Sequence, residues 1–323
     1  MDSEVQLEFH RQMKVMRRGN EISPNKYRKQ EERRRLTRFT VFSLTLAALA
    51  ACSEATDVTS PDPPVTATGI YAGFDTSIYP GDAAMLAWIN PGSPYVWSGY
   101  YLPAPCHKDT TWAGKRSTLQ TMGWGLTAIY VGQQTFDGVP IVLAERDAAG
   151  ADSIPRMARP TIVEDLGVAA TCSRTLLARE QGLAEADDAI TRMAQEGFPA
   201  GSYIYLDLER MESIPATMDA YYRAWVERVL AEGRYLPGIY CHKFNAPSIY
   251  AGVSEVFRAS GTNATPRFWL ASSTDFAITK RPTDIGFAFA NMWQGILDTN
   301  QTWGGITLHI DVDISDRRSP SAP

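Results

Sequence analysis

The chain has 323 residues, enough for one large domain or two small ones, and its 44% hydrophobic and 11% aromatic content suffices for a core. Residues 1–51 hold 11 of the 31 Lys and Arg and 6 of the 36 Asp and Glu; the remainder carries 20 basic and 30 acidic residues, a formal charge of −10. So acidic a body argues against nucleic acid as a partner.

The first 38 residues are rich in Arg and Lys and close on Arg33, Arg34, Arg35 and Arg38. An apolar run, Phe39 to Ala51, follows and ends Leu49-Ala50-Ala51 before Cys52. A charged segment, a short apolar run and small residues predict a secretory signal over residues 1–51. The run is too short to span a bilayer as a stable helix. Leu-Ala-Ala-Cys resembles a bacterial lipobox. That resemblance implies that Cys52 becomes the lipidated first residue of an exported protein, anchored to the bacterial membrane on its periplasmic or outer-surface side. An ordinary cleaved signal with an incidental cysteine is the alternative. The paired arginines also fit twin-Arg export, and Met16 is an alternative start. Ser53 to Thr68, rich in Ser, Thr, Asp and Pro, reads as part of a flexible tether over residues 52–68.

Three further cysteines follow, in an exported chain where disulfides form. Cys106 and Cys172 lie in polar, loop-like stretches and are expected to pair; Cys241, inside the apolar strand GIYC, is expected to be buried and free. The four histidines are scattered and no CxxC spacing occurs, so neither a metal site nor a cofactor is expected.

Eight strand-like runs come next: 69–75, 95–102, 125–132, 203–209, 236–242, 267–272, 288–294 and 307–313. Helical patterns over 83–90, 114–122, 183–197, 217–233 and 247–259 separate most of them. Strands alternating with helices over roughly 250 residues predict a single-domain (β/α)8 TIM-type barrel. We place it over residues 69–318, with 319–323 as a tail. One connection breaks the rhythm: residues 133–180 form a long insertion after the third strand, a functional rim or an idle decoration.

In such barrels the strands deliver functional side chains at their C-terminal ends. The first ends on Asp75, the third presents Tyr130 and Gln133, and the fifth presents Tyr240 and His242. The sixth presents Trp269, the seventh Trp293 or Gln294, and the eighth carries His309, Asp311 and Asp313 on one face. The fourth, YIYLDLER, turns Ile204, Leu206 and Leu208 one way and Tyr203, Tyr205, Asp207 and Glu209 the other. Asp207 and Glu209 thus share a face, about 6.5 Å apart by strand rise. Two carboxyls so close in a partly dry site cannot both ionise freely, and the one that keeps its proton is a general acid. Carboxylates ringed by Tyr and Trp suit carbohydrate chemistry, with acids working at the glycosidic bond and aromatic faces on sugar rings. Hard metal ions compete for the same oxygens, but no dedicated ligand loop is visible.

The segments GFDTSIYP, GWGLTAIYVGQQT, GLAEADDAITRMAQEGFPAGSYIYLDLER and GIYCHK resemble the glycoside-hydrolase-like barrel family known as domain of unknown function 1906. The resemblance covers about residues 69–316. That family is related to the family 25 lysozyme-type muramidases, which cut the glycan of peptidoglycan. By motif, Asp75 matches their first-strand Asp, Asp207 with Glu209 their Asp-x-Glu, and Asp313 their last-strand Asp, with Asp311 as the alternative. The resemblance implies that Glu209 is the general acid and that Asp207 stabilises charge or orients an N-acetyl group. Asp75 and Asp313 would then position substrate and set the local pKa. Tyr130, Tyr205, Tyr240, His242, Trp269, Trp293, Gln294 and Asp311 are the expected substrate contacts. The expected function is hydrolysis of peptidoglycan or another envelope glycan by a monomer whose partner is a glycan polymer. A non-catalytic glycan-binding barrel is the second reading, and a metal-dependent enzyme or structural envelope protein the third.

Overall fold

The computed structural model describes residues 69–137 and 171–323. The expected signal, Cys52, the tether and residues 138–170 of the insertion lie outside the described residues. Eight strands close a barrel in sequence order. They are β1 (Tyr71–Asp75), β2 (Tyr95–Tyr101), β3 (Gly125–Val131), β4 (Tyr203–Leu208), β5 (Leu236–His242), β6 (Arg267–Ala271), β7 (Ala290–Trp303) and β8 (Ile306–Ser315). Helices α1 (Asp82–Trp88), α2 (Arg116–Met122), α3 (Arg179–Gln195), α4 (Ala216–Glu232) and α5 (Ala246–Ser260) lie between strands, as the alternating pattern predicts.

From β1 to β7 each strand runs parallel to the next. The last strand departs from an all-parallel TIM barrel: β8 is antiparallel to both β7 and β1. A turn of Gly304-Gly305 joins β7 to β8, with φ of 57° and 79°. Two successive residues in the left-handed region make the hairpin turn whose twist matches its strands, and glycine reaches that region without strain. A parallel partner would need a crossover of a dozen residues or more. Reversal of β8 decides which of its acids meets the rim. Asp311 pairs with Asp75, whereas Asp313 pairs with Gly73, two residues deeper.

The barrel is filled, not hollow. Trp97 of β2 packs across the interior against β1, where a Cβ on Gly73 would lie 2.1 Å from its ring. Trp269 meets Trp97 edge-on at 6.1 Å and Tyr205 at 6.3 Å. Below them the buried Arg267 pairs with Asp316 and bonds the Tyr205 hydroxyl. Residues 319–323, expected as a tail, instead seal the floor between β3 and β4. The Tyr203 N–H donates to the Ser321 carbonyl (2.9 Å), and the Ser321 N–H donates to the Leu126 carbonyl (3.1 Å). With the floor closed, the barrel opens to solvent at the C-terminal rim of its parallel strands.

Candidate functional site

At that rim lies a groove of about 250 Å³. Asp75, Asp207, Glu209, Asp298 and Asp311 line it, together with Tyr101, Tyr240, Gln294, His107 and His309; among the described residues no lysine or arginine does. A more open depression of about 690 Å³ lies on the outer faces of α3 and α4. Its Arg228 and Asp187 already pair with each other at 2.7 Å, and none of the strand-end acids reaches it.

Side-chain amides hold the acids in place. Gln134 donates from Nε2 to the Asp207 carbonyl (2.9 Å) and accepts from the Glu209 N–H at Oε1 (3.1 Å). It therefore acts as a missing strand neighbour for the Asp-x-Glu backbone. Asn245 clamps the next loop in the same manner, through the Met211 N–H (3.0 Å) and carbonyl (2.9 Å). Gln294 of β7 links the acids across the barrel: its Nε2 donates to Asp75 (2.8 Å) and Asp311 (3.2 Å), while its Oε1 accepts from the Tyr240 hydroxyl (2.6 Å). The Tyr101 hydroxyl donates to the other oxygen of Asp75 (2.6 Å), and the Asp298 N–H donates to Asp311 (2.7 Å). Asp298 has φ 50°, uncommon for a non-glycine residue, and this conformation presents its N–H to Asp311.

Burial and the neighbouring carboxylates push these carboxyls upward. Burial comes first for Asp207, then the charges of Glu209 and Asp75, and its pKa stands well above the ordinary range. Glu209 is raised by burial and by Asp75, with the Arg210 N–H working against them. Asp311 is pushed up to about 8, by burial and then by Asp75. Asp75 is raised by burial too, but hydrogen bonds from Tyr101, Gln294 and Asp313 oppose the shift. Asp313 is 0% exposed and held well above its usual range by burial and then by Asp75 and Asp311. Trp269 Nε1 donates to its Oδ1 (3.0 Å), and its buried Oδ2 has no hydrogen-bond partner. Asp75, with the Tyr101 hydroxyl on one oxygen and Gln294 Nε2 on the other, is well equipped to carry a negative charge.

The barrel thus carries an Asp-x-Glu at the end of its fourth strand and acids on its first and last. The model of the Rv2525c-like, glycoside hydrolase-like domain matches residues 87–315, more than half of the chain. The chain belongs to that family. The match agrees with the resemblance carried by the strand-end segments. Comparison with curated proteins gives no match. Among solved structures, an uncharacterized B. stearothermophilus protein is 16% identical with a TM-score of 0.50, over 77% of this chain and 97% of that one. The spore cortex lytic enzyme SleM of Clostridium perfringens is 11% identical with a TM-score of 0.45, over 76% and 67%. The Mycobacterium tuberculosis Tat-secreted protein Rv2525c, solved with L-tartrate, is 14% identical with a TM-score of 0.40, over 76% and 94%.

Within this glycoside hydrolase-like domain the groove gathers six of the expected residues: Asp75, Asp207, Glu209, Tyr240, Gln294 and Asp311. The others lie elsewhere. Tyr130 faces outward, because alternation along β3 turns Val131 inward instead; its hydroxyl bonds Asp188 of α3 (3.0 Å). Trp293 also faces outward, its Nε1 donating to the Ser272 carbonyl (2.7 Å), and Gln294 takes the inward place. Tyr205 and Trp269 point inward but fill the interior beneath the groove, as does Asp313. His242 is half-buried beside the groove and accepts the Phe244 N–H at Nδ1 (3.0 Å), which shapes the loop after β5. Cys106 and Cys172 form a disulfide with Cα atoms 4.7 Å apart, and Cys241 is buried and free.

Several groove residues escape sequence reasoning. Tyr101 ends β2 as Asp75 ends β1, a strand-end signal that was open to reading. Gln134 rather than Gln133 supports the Asp-x-Glu; Gln133 turns to Glu185 of α3 (2.8 Å). Gly99 has no side chain to signal its role, yet a Cβ there would sit 2.7 Å from that of Asp75. Among the described residues no group of three or more His, Cys, Asp or Glu is arranged to hold a metal ion, and no helix is long and apolar enough to cross a membrane.

Proposed function

We propose that this protein is an exported glycoside hydrolase acting on peptidoglycan or a related envelope glycan, with Glu209 as its general acid. One observation carries the reading: the rim gathers strand-end carboxyls around a groove that no lysine or arginine lines among the described residues, and burial and the charge of Asp75 raise the pKa of the half-buried Glu209. A protonated carboxyl facing a saccharide transfers its proton to the glycosidic oxygen as the C–O bond breaks. Positive charge then develops at the anomeric carbon. Asp75, held by Tyr101 and Gln294, stabilises that charge and keeps its neighbours protonated by repulsion. Asp207 is 8% exposed and its Oδ1 has no hydrogen-bond partner. Such an oxygen is suited to accept the N–H of an N-acetyl group. Asp311 takes the last-strand position at the groove, and Asp313 beneath it acts through Asp75.

Export and anchoring belong to the same proposal. The Cys106–Cys172 disulfide suits an oxidising compartment, and Leu49-Ala50-Ala51-Cys52 supplies an anchor. If Cys52 carries the lipid, Cys52→Ser moves the protein from the membrane fraction to the soluble one; persistence in the membrane fraction would refute lipidation there.

The catalytic test is release of reducing ends from purified peptidoglycan and from chitin oligomers by the wild type, Glu209→Gln and Asp207→Asn. Turnover by the wild type that Glu209→Gln abolishes, with folding intact, is the expected result. Polymer capture without turnover, unaffected by either substitution, would leave a binding barrel in place of the hydrolase.

A further inference from the structure

His107 is the groove residue that the acid network does not use. It closes a tight turn in which the Ala104 N–H donates to its carbonyl (2.8 Å) and its own N–H donates to the Ala104 carbonyl (3.1 Å). The Cys106 N–H ties that turn to the Val131 carbonyl (3.1 Å), and the disulfide ties it to Cys172. The imidazole lies against the Tyr101 ring, centroids 4.9 Å apart, and Tyr101 in turn bonds Asp75. His107 is only 2% exposed, it lines the groove, and its buried Nε2 has no hydrogen-bond partner. A histidine kept for packing ordinarily has its nitrogens satisfied, as His242 has at Nδ1. Leaving one unsatisfied on so firmly anchored a turn is costly, and in native structures such a group calls for a missing partner.

We propose that His107 is a saccharide-binding residue of the groove, whose imidazole hydrogen-bonds a hydroxyl or N-acetyl group of a sugar bound beside Asp75. The proposal rests on the glycan reading above and adds to it a contact on the β2 side. A bound sugar gives the ring the partner the protein withholds. The ring is suited to an uncharged ligand: burial pushes its pKa down to about 4 against the pull of Asp109. A neutral imidazole offers one donor and one acceptor, the complement of a sugar hydroxyl. An imidazolium in its place would pair with the groove carboxylates and draw protons from them.

The test is a titration of the protein, 15N-labelled at histidine, with chitin oligomers and with glycan strands released from peptidoglycan, beside His107→Phe and His107→Gln. Phenylalanine keeps the ring on Tyr101 without nitrogens; glutamine keeps a donor and an acceptor. The expected results are movement of the His107 ring resonances on saturation, about tenfold weaker binding by His107→Phe at an unchanged melting temperature, and recovery of most of that loss by His107→Gln. Saturation that leaves the His107 resonances still, or wild-type affinity in His107→Phe, overturns the proposal while the hydrolase reading stands. Binding that moves His107 without any turnover keeps His107 and removes the hydrolase. No binding of either saccharide to the wild type sinks both. Should His107→Phe fail to fold, the resonances and His107→Gln decide.

Discussion

Two buried acidic clusters sit within one barrel, and they are built to opposite specifications. Behind β3, Glu185 accepts from Gln133 (2.8 Å), Gln181 (2.7 Å) and the Tyr221 hydroxyl. Its neighbour Asp188 accepts from Tyr130 (3.0 Å) and Arg192 (3.1 Å). In the groove, Asp207 has an oxygen with no partner, and among the described residues no lysine or arginine lines the wall. Burial raises the pKa in both clusters, so burial does not separate them. Saturation of lone pairs does. The carboxyls behind β3 spend their hydrogen bonds on the fold, whereas those of the groove keep some for a ligand.

The sharpest way to break the comparison is to remove one acid from each cluster. Glu209→Gln is expected to lower turnover by roughly 10²–10⁴-fold and to leave stability unchanged or slightly raised. Glu185→Ala should do the reverse: it strands Tyr221, Gln133 and Gln181, each at a cost of about 1–3 kcal/mol, while surviving folded enzyme keeps its pH profile. Urea unfolding beside single-temperature kinetics separates the two, and loss of stability in both variants would erase the distinction.

Next in size is the disulfide, which closes a 66-residue span and holds the turn carrying His107. Replacing Cys106 and Cys172 together by serine is expected to cost about 2–4 kcal/mol, measured as a lower urea midpoint, and to weaken saccharide binding. Unchanged affinity at reduced stability would show that the turn keeps its place without the cross-link.

pH gives a subtler contrast. A carboxyl whose pKa is raised on folding stabilises fully below its unfolded pKa and loses that contribution as pH climbs through the folded one. For Asp311 that window runs from about 3.8 to about 8. His107 works the other way, its contribution failing as pH falls from 6.5 through about 4. Melting temperature should therefore fall from pH 6.5 to 9, and Asp207→Asn should flatten that decline by removing one of the carboxyls whose pKa is raised on folding. A melting temperature that rises over this interval would contradict the proton-holding cluster.

The smallest expected effect is at Gly99. Alanine there meets the Cβ of Asp75 at 2.7 Å, so β1 and β2 must part slightly. A stability loss of about 1–3 kcal/mol is expected, with a larger fractional loss of turnover, checked by melting and kinetics on one sample.

Much of this was legible in the sequence. Alternation in YIYLDLER puts Asp207 on the inward face beside Glu209; strand-end position points to Asp75 and Tyr240, and leaves Trp293 or Gln294 open until the structure places Gln294 in the groove. The failures have physical causes. Strand-end position suggests Tyr130 and leaves Trp293 or Gln294 open, and period-two alternation turns Tyr130 and Trp293 away from the rim. Motif resemblance favours Asp313 over Asp311, but the structure places Asp311, not Asp313, at the groove. The Gly304-Gly305 hairpin reverses the eighth strand, and two glycines after Trp303 were the signal that could have revealed it. Tyr205 and Trp269 were judged by the face they occupy, but depth along a barrel depends on register, which no single strand discloses.

Burial gives the groove carboxyls pKa values above those of ordinary carboxyls. The measurement that tests this most directly is a carboxyl-13C NMR titration of Glu209 and Asp311, assigned with Glu209→Gln and Asp311→Asn. The account predicts that Glu209 titrates above the ordinary glutamate value and Asp311 near 8. Titration of both at about 4, as in an unfolded chain, would contradict it.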